Sequence, residues 1–109
     1  MWFNWNGNIV KEGLFAHNNR SFRYGDGLFE SMRVFNGKIF NRKSHEIRLE
    51  KSLNVLKLSL KKPISKVFDE VDDLLCINDV YKGGFARLLL YRDSQGSYMP
   101  SSNKVAYWI

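Results

Sequence analysis

The sequence predicts an α+β domain in which an antiparallel sheet carries two helices packed on one face. Three observations lead there. Asn-Gly pairs at Asn6-Gly7 and Asn36-Gly37 stand between bulky residues, as in two-residue hairpins. Apolar residues then recur at helical spacing from about residue 43. After Gly83-Gly84 the pattern returns to that of strands.

Taken in order, Trp2 to Val10 forms the first hairpin, and Gly25-Asp26-Gly27 supplies a tight bend before a strand. Leu28 to Phe35 and Lys38 to Phe40 are the arms of the second hairpin. Side chains alternate along a strand, so Leu28, Glu30, Met32 and Val34 share one face and Phe29, Ser31, Arg33 and Phe35 the other. The first face is core with Glu30 its one exception; the second carries a cation and a hydroxyl and can line a cavity. Leu49, Leu53, Leu56 and Leu60 stripe a helix near residues 44–60, with Ser44 as its N-cap. Pro63 interrupts the chain, and Ser65 caps a second helix near 65–77. There Val67, Val71, Leu74 and Leu75 form the apolar stripe while Asp69, Glu70, Asp72 and Asp73 face water. Phe85 to Tyr91 is an apolar strand, Arg92 to Pro100 a polar loop, and Lys104 to Ile109 a last strand.

At 109 residues the chain is one domain with room for a single modest core. Apolar residues make up 44% and aromatics 15%, a composition that folds rather than stays disordered. No run approaches the roughly 18–20 apolar residues that span a bilayer. Met1-Trp2-Phe3-Asn4-Trp5 lacks the basic-then-apolar order of a signal peptide. A single cysteine, Cys76, excludes an internal disulfide and suits a reducing, cytoplasmic setting. Its neighbours Leu74, Leu75 and Ile77 predict a buried, inert thiol. The net charge of +6 raises nucleic acid as a partner, but the basic residues are spread along the chain, and Glu46 and Glu50 interrupt the densest patch. No nucleic-acid or membrane partner is expected; a small anionic ligand accounts for a local basic site.

Gly25-Asp26-Gly27 is not a dinucleotide loop, because Glu30 stands at the third glycine and a strand follows. His17 and His45 have no carboxylate or cysteine at ligand spacing, so no metal site is expected. Arg48 lies about 100° around the helix from Ile47 and from Leu49, at the boundary of the buried stripe. A plain surface arginine and an anion ligand are both open there. Arg87 interrupts the run Phe85-Ala86-Arg87-Leu88-Leu89-Leu90-Tyr91, whose apolar neighbours predict burial. A buried guanidinium must be paired or face a polar cavity, so a structural ion pair and anion recognition are equal readings.

The segments Tyr24-Gly25-Asp26-Gly27-Leu28-Phe29-Glu30, Val34-Phe35-Asn36-Gly37-Lys38-Ile39-Phe40 and His45-Glu46-Ile47-Arg48-Leu49, in this order and spacing, carry a resemblance. They resemble the small N-terminal domain of the class IV (fold type IV) pyridoxal-phosphate-dependent aminotransferases and aminodeoxychorismate lyases. The resemblance runs from Trp5-Asn6-Gly7 to Pro100. It implies pyridoxal phosphate as cofactor, amino-acid and keto-acid substrates, and a homodimer. It implies that Arg48 binds the cofactor phosphate, and that Tyr24, Phe29 and Arg33 line the substrate side of the pocket. Arg87 resembles the arginine that branched-chain aminotransferases place in their substrate-binding region. In the loop after the strand, Ser97 stands where the family arginine is expected, which counts against recognition of a second carboxylate there.

The implied activity is a transaminase, with the branched-chain type slightly favoured and aminodeoxychorismate lyase as the alternative. In that family the Schiff-base lysine belongs to a large C-terminal domain. Residues 1–109 are therefore read as the small domain alone, catalytically silent by themselves, and the lysines from Lys51 to Lys62 as solvated. Arg48 and Arg87 are expected in one concavity beside the strand bearing Phe29 and Arg33. Outside the family, the same residues would serve a non-catalytic anion-binding or interaction module.

Overall fold

Both hairpins turn on their Asn-Gly pairs. Asn6 and Gly7 sit at φ 52° and 89°, Asn36 and Gly37 at 51° and 73°, left-handed pairs whose twist matches the flanking strands. The computed structural model describes residues 1–13, 16–94 and 99–109. Its elements are β1 (Phe3–Trp5), β2 (Asn8–Val10), α1 (Arg20–Tyr24), β3 (Gly27–Phe35), β4 (Lys38–Ile39), α2 (Arg42–Val55), α3 (Ile64–Ile77), β5 (Gly84–Arg92) and β6 (Val105–Trp108). The strands form one sheet in the order β2-β1-β6-β5-β3-β4, and each neighbouring pair is antiparallel. This is the α+β architecture that the sequence predicts.

The register explains where the core sits. Met32 pairs with Ala86, Glu30 with Leu88, Leu28 with Leu90, and Leu90 in turn with Tyr107, so one face of the sheet is apolar across three strands. Leu49 and Leu53 of α2 and Val67, Phe68, Val71, Leu74 and Leu75 of α3 pack on that face. Arg42 ties the two helices together, donating to Glu46 and Asp72 and to Asp69 at 2.7–2.8 Å. α1 sits on the opposite face at the start of β3. There a Cβ on Gly27 would meet the Leu90 carbonyl at 2.6 Å and the Ser21 Cβ at 3.1 Å, so only glycine permits the approach.

The helix ends differ from the sequence reading for local reasons. α2 runs from Arg42 to Val55, short of 44–60, and follows Asn41, so Ser44 lies inside its first turn rather than capping it. Lys57 turns to φ 54°, its amide donates to the Asn54 carbonyl, and the Leu58 amide donates to the Leu53 carbonyl. This is a left-handed stop in which Leu58 packs back on the helix it leaves. Leu58 is buried in consequence, and Leu56 and Leu60 of the predicted stripe fall beyond the helix. α3 ends the same way at Asp79, φ 56°, with the Val80 amide on the Leu75 carbonyl. It begins after Pro63, with Ser65 inside it rather than capping it. The sequence reading missed α1, which Asn19 caps through its side chain on the Ser21 amide and Gly25 closes at φ 64°.

Three burial expectations are also corrected. Cys76 is exposed on the outer side of α3, because Leu74 and Leu75 alone fill the inward positions. Glu70 and Asp72 do not simply face water: Glu70 accepts from Tyr107 at 2.6 Å and Asn4 at 3.2 Å, and the half-exposed Asp72 holds Arg42. Lys62 is likewise half-buried, its ammonium donating to Glu70 and to the Tyr107 hydroxyl.

Candidate functional site at the free edge of β3

β4 pairs only with Val34 and Phe35, and the Phe40 amide reaches the Arg33 carbonyl. From there toward Gly27 no strand among the described residues lies beside the outer edge of β3. Backbone groups of alternate residues point the same way in an antiparallel strand, so the N–H and C=O of Ser31 and Phe29 face this edge as Arg33 does. α2 packs on β3 and presents His45 and Arg48, three residues apart and hence on one helical face.

Glu30 projects from the core face of β3 and is only 5% exposed. Its carboxylate accepts from Arg48 Nε at 2.7 Å, Arg48 Nη2 at 2.6 Å and His45 Nδ1 at 2.7 Å. An ionised carboxylate only accepts, so the contact requires the proton on His45 Nδ1. The Arg48 hydrogen bonds hold the Glu30 carboxyl below its usual range, against burial, which pushes the other way. The same hydrogen bonds raise the Arg48 guanidinium. The Arg48 side chain nevertheless stays 65% exposed, and Nη1 has no acceptor among the described residues.

The opposite face of the sheet is open and aromatic. Phe29 pairs with Leu89, Ser31 with Arg87, and Arg33 with Phe85. Phe29, Phe35 and Phe85 are each more than half exposed. Arg87 is exposed here, not buried, because the run from Phe85 divides between the two faces: Ala86, Leu88 and Leu90 go inward and Arg87 outward. Its Nε donates to Ser31 Oγ at 3.2 Å, and its guanidinium lies 5.2 Å from the centre of the Phe29 ring, a cation–π contact. Arg33, a diagonal neighbour of Arg87, makes no ion pair among the described residues. α1 bounds one end of this face, where Ser21, Phe22, Gly27, Phe29 and Leu89 line a cavity of about 390 Å³. A second cavity, about 340 Å³, reaches Arg87, Phe85 and Trp108 between the N-terminal ends of β1 and β5.

Of the residues singled out in the sequence, Phe29, Arg33 and Arg87 thus share one face. Tyr24 ends α1 under the guanidiniums of Arg20 and Arg23, 4.9 and 5.3 Å from its ring, and lines neither cavity. Arg48 does not join Arg87 in one concavity, since its anchor Glu30 and Arg87 leave opposite faces of the sheet. A ligand touching both has to pass around the free edge of β3. Ser97 lies outside the described residues. Glu30 and His45 carry the geometry, although neither is given a site role from the sequence; the signal is a carboxylate in a core row of β3 together with a His-x-x-Arg spacing on the next helix. Among the described residues no cluster of three His, Cys, Asp or Glu could hold a metal, and no helix is long and apolar enough to cross a membrane.

The model of the amino-transferase class IV family matches residues 27–109, three quarters of the chain, from β3 onward. The chain belongs to the class IV aminotransferase family. A curated relative, the D-alanine aminotransferase of Staphylococcus haemolyticus, is 30% identical over 81 residues, 72% of this chain and 29% of the relative. A probable branched-chain-amino-acid aminotransferase of Rickettsia bellii is 30% identical over 98 residues, 87% of this chain and 34% of the relative. The chain therefore spans about a third or less of the length of these curated relatives. Among solved structures, the branched-chain aminotransferase of Thermoproteus uzoniensis superposes with a TM-score of 0.88 at 20% identity, covering 99% of this chain and 39% of that one. The 4-amino-4-deoxychorismate lyase of Pseudomonas aeruginosa gives 0.79 at 22% identity, covering 97% and 37%. The class IV fold is common to both.

Proposed function

We propose that this chain is the small N-terminal domain of a pyridoxal-phosphate-dependent transaminase acting on amino acids. The observation that carries the reading is Arg48, fixed by Glu30 at the free edge of β3 with Nη1 uncommitted. A planar guanidinium held on two nitrogens still offers N–H groups to a phosphate, so the donor set fits the cofactor's doubly charged end. Pyridoxal phosphate, when bound, supplies the electron sink that stabilises charge beside the substrate amine. The chain's own part is to bind and orient. Arg48 takes the phosphate, while Phe29, Arg33 and Arg87 line the substrate side, two cations for a carboxylate and a ring for an apolar side chain. Tyr24 is kept on the substrate side by the family resemblance alone, since it lines neither cavity of this chain.

The names of the relatives support amino acids as substrates, D-alanine in one and branched-chain amino acids in another. The apolar cavity against Phe22, Phe29 and Leu89 favours an aliphatic side chain, in keeping with the branched-chain type. The Schiff-base lysine is assigned to a second domain outside residues 1–109. Lys62, the half-buried lysine, is a poor substitute because it is engaged by Glu70 and Tyr107 on the β6 side, two strands from β3. The enzyme so formed is read as a cytoplasmic homodimer. Replacing Arg48 by Ala in the intact gene product should weaken pyridoxal phosphate binding roughly tenfold or more, the scale of one hydrogen bond between charged groups. Titration of the cofactor's absorbance measures this, and unchanged affinity refutes the phosphate role.

A further inference from the structure

Glu30 occupies a position that the packing alone would give to an apolar side chain. It stands in the row of Leu28, Met32 and Val34, opposite Leu88, and is as buried as the core around it. A carboxylate there costs desolvation, and among the described residues its two oxygens are satisfied by Arg48 and His45. Both partners come from one face of α2, so the carboxylate grips the helix at two points. Arg48, by contrast, is mostly outside: its side chain is 65% exposed, and among the described residues its guanidinium has polar contacts with Glu30 and the edge of the His45 ring alone. A long exposed arginine samples many rotamers and loses that freedom when it binds an anion.

From this we infer that Glu30 is a positioning residue, which holds the Arg48 guanidinium in its anion-binding orientation before the cofactor arrives. Nε and Nη2 are spent on the carboxylate, and Nη1 is left aimed away from it. The inference rests on the reading of Arg48 as the phosphate ligand. Glu30 also subtracts charge from the site, which by itself would weaken an anion's binding. At a guanidinium this exposed, water screens that loss, and the fixed geometry outweighs it.

The test compares pyridoxal phosphate with pyridoxal, which lacks only the phosphate, by measuring the affinity of the intact gene product for each. Glu30→Asp keeps the charge but withdraws the carboxylate by one methylene, so it cannot grip both nitrogens from the same backbone. It should lower the ratio of the two affinities by roughly threefold to tenfold, and Arg48→Ala by at least as much. The double variant should fall no further than Arg48→Ala alone, because Glu30 acts only through Arg48. Loss of stability without a positioning role would weaken both ligands alike and leave the ratio unchanged. An unchanged ratio in Glu30→Asp, or an additive fall in the double variant, overturns the inference. Glu30→Gln, which keeps the volume, is the second variant if Asp leaves the domain unfolded, with the same expected fall. If Arg48→Ala itself leaves the ratio unchanged, the reading of Arg48 as phosphate ligand fails first.

Discussion

Asp26 joins parts of the chain that are far apart in sequence. Its Oδ2 accepts from Arg20 Nε at 2.7 Å and Arg92 Nε at 3.0 Å, both arginines being nearly buried. Arg92 continues to Asn103 and to the Leu56 carbonyl, so one carboxylate braces α1, β5 and the end of α2. Burial alone would raise the Asp26 carboxyl, but the hydrogen bonds from Arg20 and Arg92 hold it below its usual value. Asp26→Asn removes the charge that Arg20 and Arg92 share and should cost about 3 kcal/mol, the low end for breaking a buried pair. Urea titration would read this as a fall in midpoint at unchanged slope. Asp26 and Glu30 are both depressed, so their contributions are complete above their unfolded values of about 3.9 and 4.3. The contributions drain away as pH falls through the lower folded values. Stability should therefore drop on acidification below about pH 4, more shallowly in Asp26→Asn. Asp72, raised by burial, works in the opposite sense and blunts the slope.

At the scale of elements, two helices end on residues other than glycine in the left-handed region, Lys57 at φ 54° and Asp79 at φ 56°. That conformation costs a side chain about 1–2 kcal/mol, less for aspartate, whose carboxylate bonds locally. Glycine relieves the strain but adds about 0.4–1 kcal/mol of unfolded-state entropy. Lys57→Gly should thus stabilise the domain by about 0.5–1 kcal/mol, and Asp79→Gly by less, as thermal unfolding would show. These stops mark where sequence patterning ran out. The Leu49, Leu53, Leu56, Leu60 spacing continues past the true helix end by coincidence, because Leu58 takes the buried place once Lys57 reverses the backbone. Strands were more legible: alternation along β3 sorted Met32 and Val34 from Phe29 and Arg33, and the Asn-Gly turns fixed both hairpins. Arg87 was misplaced because an unbroken apolar run hides which face each residue takes. The Glu30–His45–Arg48 contact was invisible for another reason, since it joins a strand to a helix across a register that the spacing of letters does not encode.

For the molecule as a whole, one face of the sheet is covered by helices and the other presents Trp5, Phe29, Phe35 and Phe85 to solvent. An apolar surface of this extent is uncommon on a monomer. The 109-residue chain alone should therefore self-associate, and, with the Schiff-base lysine proposed to lie in a second domain, should not turn over an amino acid and keto acid with added pyridoxal phosphate. Sedimentation at rising concentration and an assay for product check the two halves. A strict monomer, or turnover with a borohydride-trapped lysine within these residues, would contradict them. The alternation in β3 has a consequence for any mutational library of this strand. Variants at Met32 and Val34 should deplete when cells are sorted for abundance, whereas variants at Phe29, Arg33 and Phe35 should keep their abundance and deplete only under metabolic selection. Such a comb-like profile, with Glu30 the one even-numbered tooth scoring in both screens, would separate folding from chemistry at a spacing of a single residue.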